Sequence, residues 1–534
     1  MKTIVKVGLS TCGLAAGGQA TYDALKAEAK SGRFPFEVQA TGCVGACHRE
    51  PLVEIVEDGA TWLFGPVSAD RVAPLLEGHF RRGSHPETQD WLVSHRADRS
   101  DYPFLGRQVK VTTQLCGVID PLSLDDYLAA DGYRALQEAL KMPPEAVVDV
   151  VKRSKLRGRG GAGFPTGTKW EAALKAKGSV KYVVCNADEG DPGAFMDRTM
   201  IEGDPHRLLE GMMIAAHAIG AQAGYIYVRA EYPIAVKRLE IATRQAREAG
   251  YLGPNALGRG RPFDIIIKEG AGAFVCGEET ALMHSIEGLR GMPRMRPPYP
   301  AQSGLWGCPT NINNVETYAS VPSILLNGPD WFAGLGTANS GGTKAFALTG
   351  AVVRTGLAEV PIGLPLRDMI FEVGGGIKHG RAFKAVQMGG PSGGCIPASK
   401  LDTRIDYEDL RATGAIMGSG GMVVVDETTC MVDLTRFFLE FTQSESCGKC
   451  VPCRIGTRKM LDTVRRFTHG EGEPDDLAKL PELAEMVRVT SLCGLGQTAP
   501  NPVLTTMRYF RDEYEAHVHE RLCPAGACAA LRRG

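Results

Sequence analysis

The sequence predicts a multidomain α/β protein, and three observations carry that prediction. Strand-like and helix-like segments alternate from about residue 106 to 330, the pattern of a largely parallel sheet built from repeated crossovers. The text before it runs β-α-β-β-α. The text after it changes to short strands with glycine turns and then, beyond Leu434, to helices. At 534 residues the chain is also too long for one hydrophobic core.

Each element follows from local pattern. Residues 3–9 alternate apolar and polar side chains like a strand, and 19–30 predict a helix. Two further strands follow at 36–41 and 52–58, then Trp62 to Phe64 and a helix from Ala69 to Leu76. That order is thioredoxin-like and sets a first domain at 1–82. A charged, proline-containing stretch predicts a linker over 83–105. In an α/β domain at 106–335 the candidate strands are Tyr182–Cys185, Tyr225–Arg229 and Asp264–Lys268, and the candidate helices are 205–219, 232–248 and 278–287. Strands such as Ala345–Thr349 and Met422–Val425 predict a small β-grasp-like domain at 336–428, and the helical text forms a last domain at 429–534.

Composition excludes several classes. With 60 basic against 61 acidic residues there is no nucleic-acid footprint. No apolar stretch is long enough to span a bilayer. The nearest, Gly211 to Val228, contains His217 and Gln222 and reads as a helix, a Gly224 turn and a strand. The first residues lack an apolar core and a cleavage site, so a cytoplasmic protein is expected. Fifteen cysteines in that setting argue against a disulfide scaffold. Six scattered ones (Cys116, Cys185, Cys276, Cys308, Cys395, Cys430) are expected to pack as small buried hydrophobes.

Cys447, Cys450 and Cys453 stand at two-residue gaps, and Cys493 follows forty residues later. Three thiolates so spaced wrap one side of a cube and a distant fourth closes it, which suits a [4Fe–4S] cluster. Zinc is the competing reading, although structural zinc sites mostly use two separated pairs of ligands.

Glycine makes up 65 of the 534 residues, against a usual ~7%, and much of the excess lies in short runs. Gly158, Gly160, Gly161 and Gly163, with Arg159 and Phe164 among them, precede Lys169. Such a run lets backbone N–H groups converge on a phosphate or approach a flat ring. It follows a predicted helix and not a strand, so it is not the dinucleotide G-x-G-x-x-G fingerprint; a flexible surface loop is the alternative. Strand 182–185 runs into Asn186, Asp188, Glu189 and Asp191, and strand 264–268 runs through glycines into Gly277, Glu278 and Glu279. Ligands in α/β sheets bind at the carboxyl ends of strands. The two glutamates either complement a helix dipole or hold ribose or ring hydroxyls. A fourth segment, with Ile312, Asn313, Asn314 and Thr317, offers amide groups suited to a ring edge or phosphate.

In combination these motifs resemble the NADH-binding, FMN-containing flavoprotein subunit of respiratory complex I and its soluble diaphorase relatives, over roughly Gly106 to Cys493. The resemblance implies a Rossmann-like FMN- and NAD-binding domain, a β-grasp domain of the SLBB type, and a helical [4Fe–4S] domain. It implies that the Gly158–Lys169 loop, Asn186, Asp188, Glu189, the Gly277-Glu278-Glu279 turn and Asn313, Asn314 and Thr317 cradle FMN. It further implies that nicotinamide stacks on Phe164 and meets Glu279. Asp191, Arg296 and Tyr299 depart from the complex I pattern of glutamate, lysine and phenylalanine while keeping charge or aromaticity. The implied chemistry is hydride exchange between NAD(H) and FMN, with single electrons passing to the cluster and no residue needed as a general acid or base.

Thr11-Cys12-Gly13 with Cys43 and Cys47 resembles a thioredoxin-like [2Fe–2S] domain one cysteine short. A degenerate docking domain is favoured over a cluster there, with thiol redox chemistry as the remaining alternative. The tail pair Cys523 and Cys528 cannot hold a cluster unaided. With the fused first domain and this tail, the resemblance points first to the diaphorase subunit of a molybdenum or tungsten formate dehydrogenase. Its expected partners are a [2Fe–2S] thioredoxin-like subunit and a molybdopterin iron–sulfur catalytic subunit. The alternatives are the corresponding subunit of an NAD-reducing hydrogenase or of complex I and, in another class, an iron–sulfur relay or scaffold that binds no nucleotide.

Overall fold

The structure, a computed structural model, describes residues 3–82, 89–258 and 260–531. Its first sheet contains β1 (Thr3–Gly8), β2 (Phe36–Thr41), β3 (Val53–Glu57), β4 (Ala60–Phe64) and β5 (Leu92–Ser94), in the order β2-β1-β3-β4-β5. β1 runs parallel to β2 and the other pairs are antiparallel. Helix α1 (Gly18–Ser31) packs Leu25 onto the face formed by Val5, Val7, Val53 and Ile55. The alternation along β1 thus does what period-two patterning requires. The expected linker is only partly one. Residues 83–88 lie outside the described residues, but Leu92–Ser94 pairs with β4. Three residues give no readable alternation, and the open edge of β4 makes them a strand.

The second sheet positions the functional site. Helix α2 (Thr166–Lys175) precedes β6 (Tyr182–Ala187), and then come α3 (Pro205–Ile219), β7 (Ala223–Arg229), α4 (Pro233–Glu248), β8 (Asp264–Gly270), α5 (Glu279–Ile286), β9 (Thr310–Asn314) and α6 (Val315–Asn327). The order is β8-β7-β6-β9, all parallel, so the carboxyl ends of all four strands share one edge. One local expectation changes. The turn after α3 falls at Gly220, which takes the left-handed conformation, while Gly224 lies inside β7. Gly224 is glycine for packing: a Cβ there would stand 2.9 Å from the Phe263 ring. The polar text Thr310–Asn314, to which the pattern assigned no element, is a strand because β6 offers it a parallel edge.

The third sheet is mixed, with β10 (Thr343–Gly350), β11 (Gly356–Pro361), β12 (Phe383–Met388), β13 (Gly394–Pro397) and β14 (Gly421–Asp426) in the order β11-β10-β14-β12-β13. β10 pairs with β14 in parallel and the other neighbours are antiparallel. Helices α7 (Met431–Ser444), α8 (Thr457–His469), α9 (Pro474–Thr490) and α10 (Asn501–Tyr509) complete the carboxyl-terminal part. No helix among the described residues is long and apolar enough to cross a membrane.

The expected boundary at 335/336 does not interrupt the packing. Ala345, Ala347 and Leu357 belong to the same apolar core as the parallel sheet. Beside them Lys344, on β10, and Glu316, on α6, are both buried and paired at 2.5 Å, and Glu316 also accepts a hydrogen bond from the Ala345 amide at 2.7 Å. Breaking a buried pair leaves a charge with no partner and no water. Lys344→Met is therefore expected to destabilise the chain by about 3–5 kcal/mol, with part recovered in the double variant with Glu316→Gln. Urea unfolding of the three proteins checks this; a single variant as stable as its parent contradicts it.

Candidate functional site

The shared edge of the parallel sheet opens into a cavity of about 370 Å³. One wall is the glycine loop at Gly160, Gly161 and Ala162. A second is the segment after β6, with Asn186, Asp188, Glu189 and Asp191, and a third is Phe274 to Glu278. Asn314, at the end of β9, completes the parallel-sheet side. The opposite side comes from segments that no sequence motif marked: Gly389, Tyr407, Arg411, Gly418 and Ser419 of the mixed-sheet region, and Leu495 and Thr498 of the helical part. Tyr407 fixes the loop, its hydroxyl donating to the Gly158 carbonyl at 2.9 Å while its ring occupies the space a Cβ on Gly163 would need. Gly163 also has a φ of 65°, so glycine is required there twice over.

Besides Glu278, four carboxyl groups line this cavity: Asp188, Glu189, Asp191 and Asp197. Burial pushes Asp188 and Glu189 up to about 7 and Asp191 up to about 6. Burial and the neighbouring Glu189 charge push Asp197 well above the carboxylate range. Three are held from within: Glu189 accepts from the Asp197 and Arg198 amides, Asp191 from the Ser419 hydroxyl at 2.5 Å, and Asp197 from Asn314 Nδ2 at 2.6 Å. Asp188 differs. Both its carboxyl oxygens are buried without a hydrogen-bond donor, and its ion-pair partner Arg229 stays 3.6 Å away. A buried acceptor left unsatisfied is costly, so the site fits a ligand that brings hydroxyl or N–H donors, as the polyol chain and ring edge of FMN do.

Several motif residues stand behind the lining. The Arg159 guanidinium is buried and donates to the carbonyls of Arg157, Gly341 and Thr343, while its amide donates to Thr317 Oγ1. Asn313 Oδ1 accepts from Trp170 Nε1 and Asn311 Nδ2, and Ile312 is buried in β9. These side chains set the position of the loop and of Asn314. Asn186 links two walls, its Nδ2 donating to the Gly277 carbonyl at 2.8 Å. Glu278 caps α5, accepting from the Thr280 and Ala281 amides, which is the helix-terminus reading of that glutamate. Glu279 is instead clamped by Lys169 at 2.9 Å and Arg296 at 3.0 Å. Burial opposes its ionisation, but the two cations hold its carboxyl below the ordinary value. Lys169 is thus turned to Glu279 and does not line the cavity. Beyond the loop, Phe164 and Tyr299 are more than half exposed.

Cys447, Cys450, Cys453 and Cys493 face one small cavity together with Val275, Ser446, Lys449, Leu492 and Leu495. Gly448 turns in the left-handed region between the first two cysteines. Burial, with the neighbouring cysteines adding to it, pushes the Cys453 thiol up to about 11. Four sulfurs facing one cavity suit an iron cluster, whose positive charge favours thiolate ligands. This cavity and the larger one share two lining residues, Val275 and Leu495, so a wall one side chain thick separates them. In the first domain Cys12 and Cys47 lie 3.7 Å apart, with Arg198 of the parallel-sheet region 4.0 Å from Cys12. The Cys47 contact and Arg198, against burial, bring the Cys12 thiol down to about 7.

The sequence profile of the Nuo51 FMN-binding domain matches residues 151–323, and that of the NADH-ubiquinone oxidoreductase-F iron-sulfur binding region matches 433–517. Over 425 residues the chain is 58% identical to the NADP-reducing hydrogenase subunit HndC of Solidesulfovibrio fructosivorans, spanning 80% of this chain and 86% of that one. It belongs to the family of NADH-binding flavoprotein subunits of complex I. Another relative, an NADH-quinone oxidoreductase subunit of Rhizobium meliloti (strain 1021), is 48% identical over 402 residues, 75% of this chain and 96% of its own. A solved structure, NAD+-reducing [NiFe]-hydrogenase in the H2-reduced state, matches with a TM-score of 0.68 at 32% identity, covering 97% of this chain and 84% of the other. As a member of this flavoprotein family the chain carries FMN and a [4Fe–4S] cluster and takes NAD(H) as substrate.

Two outcomes follow. Cys450→Ala should abolish the cluster's absorbance and paramagnetic signal and lower bound iron while flavin content stays at the parent level; iron unchanged by the substitution would refute the assignment. For Asp188 the folded value near 7 lies above the unfolded value near 4. Its contribution to stability is complete below about pH 4 and is lost as pH rises towards about 7. In the flavin-free chain, Asp188→Asn should therefore gain on the order of 1–3 kcal/mol over the parent at about pH 8 and little at about pH 4. Thermal unfolding at the two pH values measures the difference, and an equal gain at both would exclude this cause.

Proposed function

We propose that the chain is the diaphorase subunit of a pyridine-nucleotide-reducing hydrogenase, exchanging electrons between a nicotinamide nucleotide and hydrogen-converting partner subunits. The observation that carries the diaphorase reading is the pair of cavities back to back, one lined by carboxylates and glycine backbone and the other by four cysteines, with Val275 and Leu495 common to both. The hydrogenase assignment rests on likeness: HndC shares 58% identity, and the hydrogenase structure spans the amino-terminal domain as well as the rest. That fused domain was what pointed to formate dehydrogenase in the sequence, so hydrogen is now the better-supported distal substrate. The partners are proposed to include a small [2Fe–2S] subunit and a metal-containing catalytic subunit.

FMN, when bound, supplies an acceptor that takes a hydride's electron pair from nicotinamide and gives it up singly. The chain's own residues do the positioning. Asp188 accepts from flavin hydroxyl or N–H groups that satisfy its free oxygens, and the backbone of Gly160 and Gly161 admits the phosphate or ring without Cβ interference. Phe164 and Tyr299 offer aromatic faces to the nicotinamide nucleotide at the mouth. Glu279, kept ionised by Lys169 and Arg296, accepts from its ribose hydroxyls. Val275 and Leu495 keep water out of the wall that electrons cross.

Phe164→Ala should raise KM for the nucleotide about 3- to 10-fold, the loss of one aromatic stack, with flavin content unchanged. Steady-state diaphorase assays with an artificial acceptor measure this, and an unchanged KM would remove Phe164 from the nucleotide site. In the native complex, hydrogen should drive nucleotide reduction and formate should not; reduction by formate alone would overturn the hydrogenase reading.

A further inference from the structure

Cys12, Cys43 and Cys47 lie outside both cavities, where the first domain meets the parallel-sheet region. Cys12 Sγ stands 3.7 Å from Cys47 Sγ and 4.0 Å from the Arg198 guanidinium. Those two cysteines are half-buried, whereas Cys43 is buried with its sulfur 3.5 Å from Glu50 Oε1. Three sulfurs are one short of a two-iron set, and Glu50 is already engaged, its Oε2 accepting from the Leu52 amide at 2.9 Å. The segment that carries Cys12 is pinned from outside its own domain. The Thr11 amide and hydroxyl donate to Glu202 at 2.8 and 2.5 Å, and Arg238 donates to the Leu9 carbonyl at 2.7 Å.

The two facing sulfurs are prepared unequally. The Cys47 contact and the Arg198 charge favour Cys12 as the thiolate, which is the attacking form. Contacts with Cys12 and Cys43, with burial behind them, hold the Cys47 thiol well above its ordinary value, so it keeps its proton. Burial pushes Glu50 up to about 7, where a carboxyl group both takes and returns a proton near neutral pH. Cys12, Cys47, Cys43 and Glu50 therefore form a line from a nucleophile to a proton acceptor.

We propose that Cys12 and Cys47 form a reversible disulfide by exchange with a low-molecular-weight disulfide, and that this bond slows the diaphorase reaction. The Cys12 thiolate attacks one sulfur of the small disulfide and expels the other as a thiolate. The Cys47 proton passes by way of Cys43 to the Glu50 carboxylate. The Cys47 sulfur then attacks Cys12 Sγ, which forms the protein disulfide and releases the second small thiolate. In sum two protein thiols lose two electrons and two protons, and one small disulfide becomes two thiols. The bond removes the negative sulfur that faces Arg198. The Arg198 amide donates to Glu189 at 3.2 Å, and its guanidinium lies over the Tyr232 ring, whose hydroxyl donates to the Glu189 carbonyl at 2.9 Å. Arg198 thus joins the thiol pair to a carboxylate that lines the large cavity.

The test uses the purified native complex, incubated with oxidised glutathione and then quenched with an alkylating agent. Peptide mass spectrometry should find a Cys12–Cys47 disulfide with Cys43 still a thiol, and dithiothreitol should reverse it. Cys47→Ser should stop the exchange at a glutathione adduct on Cys12, and Cys12→Ser should give neither product. Arg198→Met should slow iodoacetamide alkylation of Cys12 at about pH 7 by about 5- to 10-fold. Oxidation should lower the diaphorase rate of the parent by about 2-fold or more and leave that of Cys12→Ser unchanged. Iron bound by these cysteines, a disulfide that uses Cys43, or no disulfide at any glutathione ratio would overturn the proposal. An oxidised parent as fast as the reduced one would equally overturn it. If the serine variants fail to accumulate, the peptide map and the rates of the parent still decide it.

Discussion

Lys344 and Glu316 meet without water between two sheets, and the site depends on that contact. The parallel sheet alone supplies only one side of the large cavity. The other side, with Gly389, Gly418 and Ser419, comes from the mixed-sheet region, and the ion pair at 2.5 Å fixes that region against α6. Ser419 then reaches Asp191, and Tyr407 reaches the Gly158 carbonyl. Two charges in a dry interior tolerate little displacement, since each loses its partner before water can replace it. The same condition that makes the pair costly to break makes the cavity walls hold one arrangement.

The cavity gathers carboxylates in an environment that resists their ionisation, an arrangement that would be costly in an empty protein. Three of the four are satisfied by donors from the chain itself. The exception, Asp188, is the one whose buried oxygens have no hydrogen-bond donor. An unsatisfied buried carboxyl group is thus left at the cavity wall, while the neighbouring carboxylates are held by the chain. On the other face, Val275 and Leu495 separate this chamber from the four cysteines, and an apolar partition so thin is what single-electron passage between the two requires.

Two kinds of information are separable in this chain. The cysteine triplet with Cys493, the glycine run at 158–163 and the polar text after β6 and β8 were legible because chemistry and spacing sit together in the chain. Helix α3 was legible end to end because its apolar run is long and bounded by proline and glycine. Leu92–Ser94 and Thr310–Asn314 were not legible as strands. Neither has the alternation of a half-buried strand, and each is extended because a neighbouring strand offers an unpaired edge.

By itself, then, the sequence determined the fold class, the family, and the segments that line the two cavities, since each is a short-range matter of residue type and spacing. Only the tertiary structure decided which side chains line the cavity and which stand behind it, as with Arg159 and Asn313. It alone turned Lys169 toward Glu279, placed Tyr407 and Ser419 opposite the glycine loop, and brought Cys430 to the tail cysteines. Those arrangements depend on contacts between residues roughly 100 to 250 positions apart, and linear spacing holds no record of such distances.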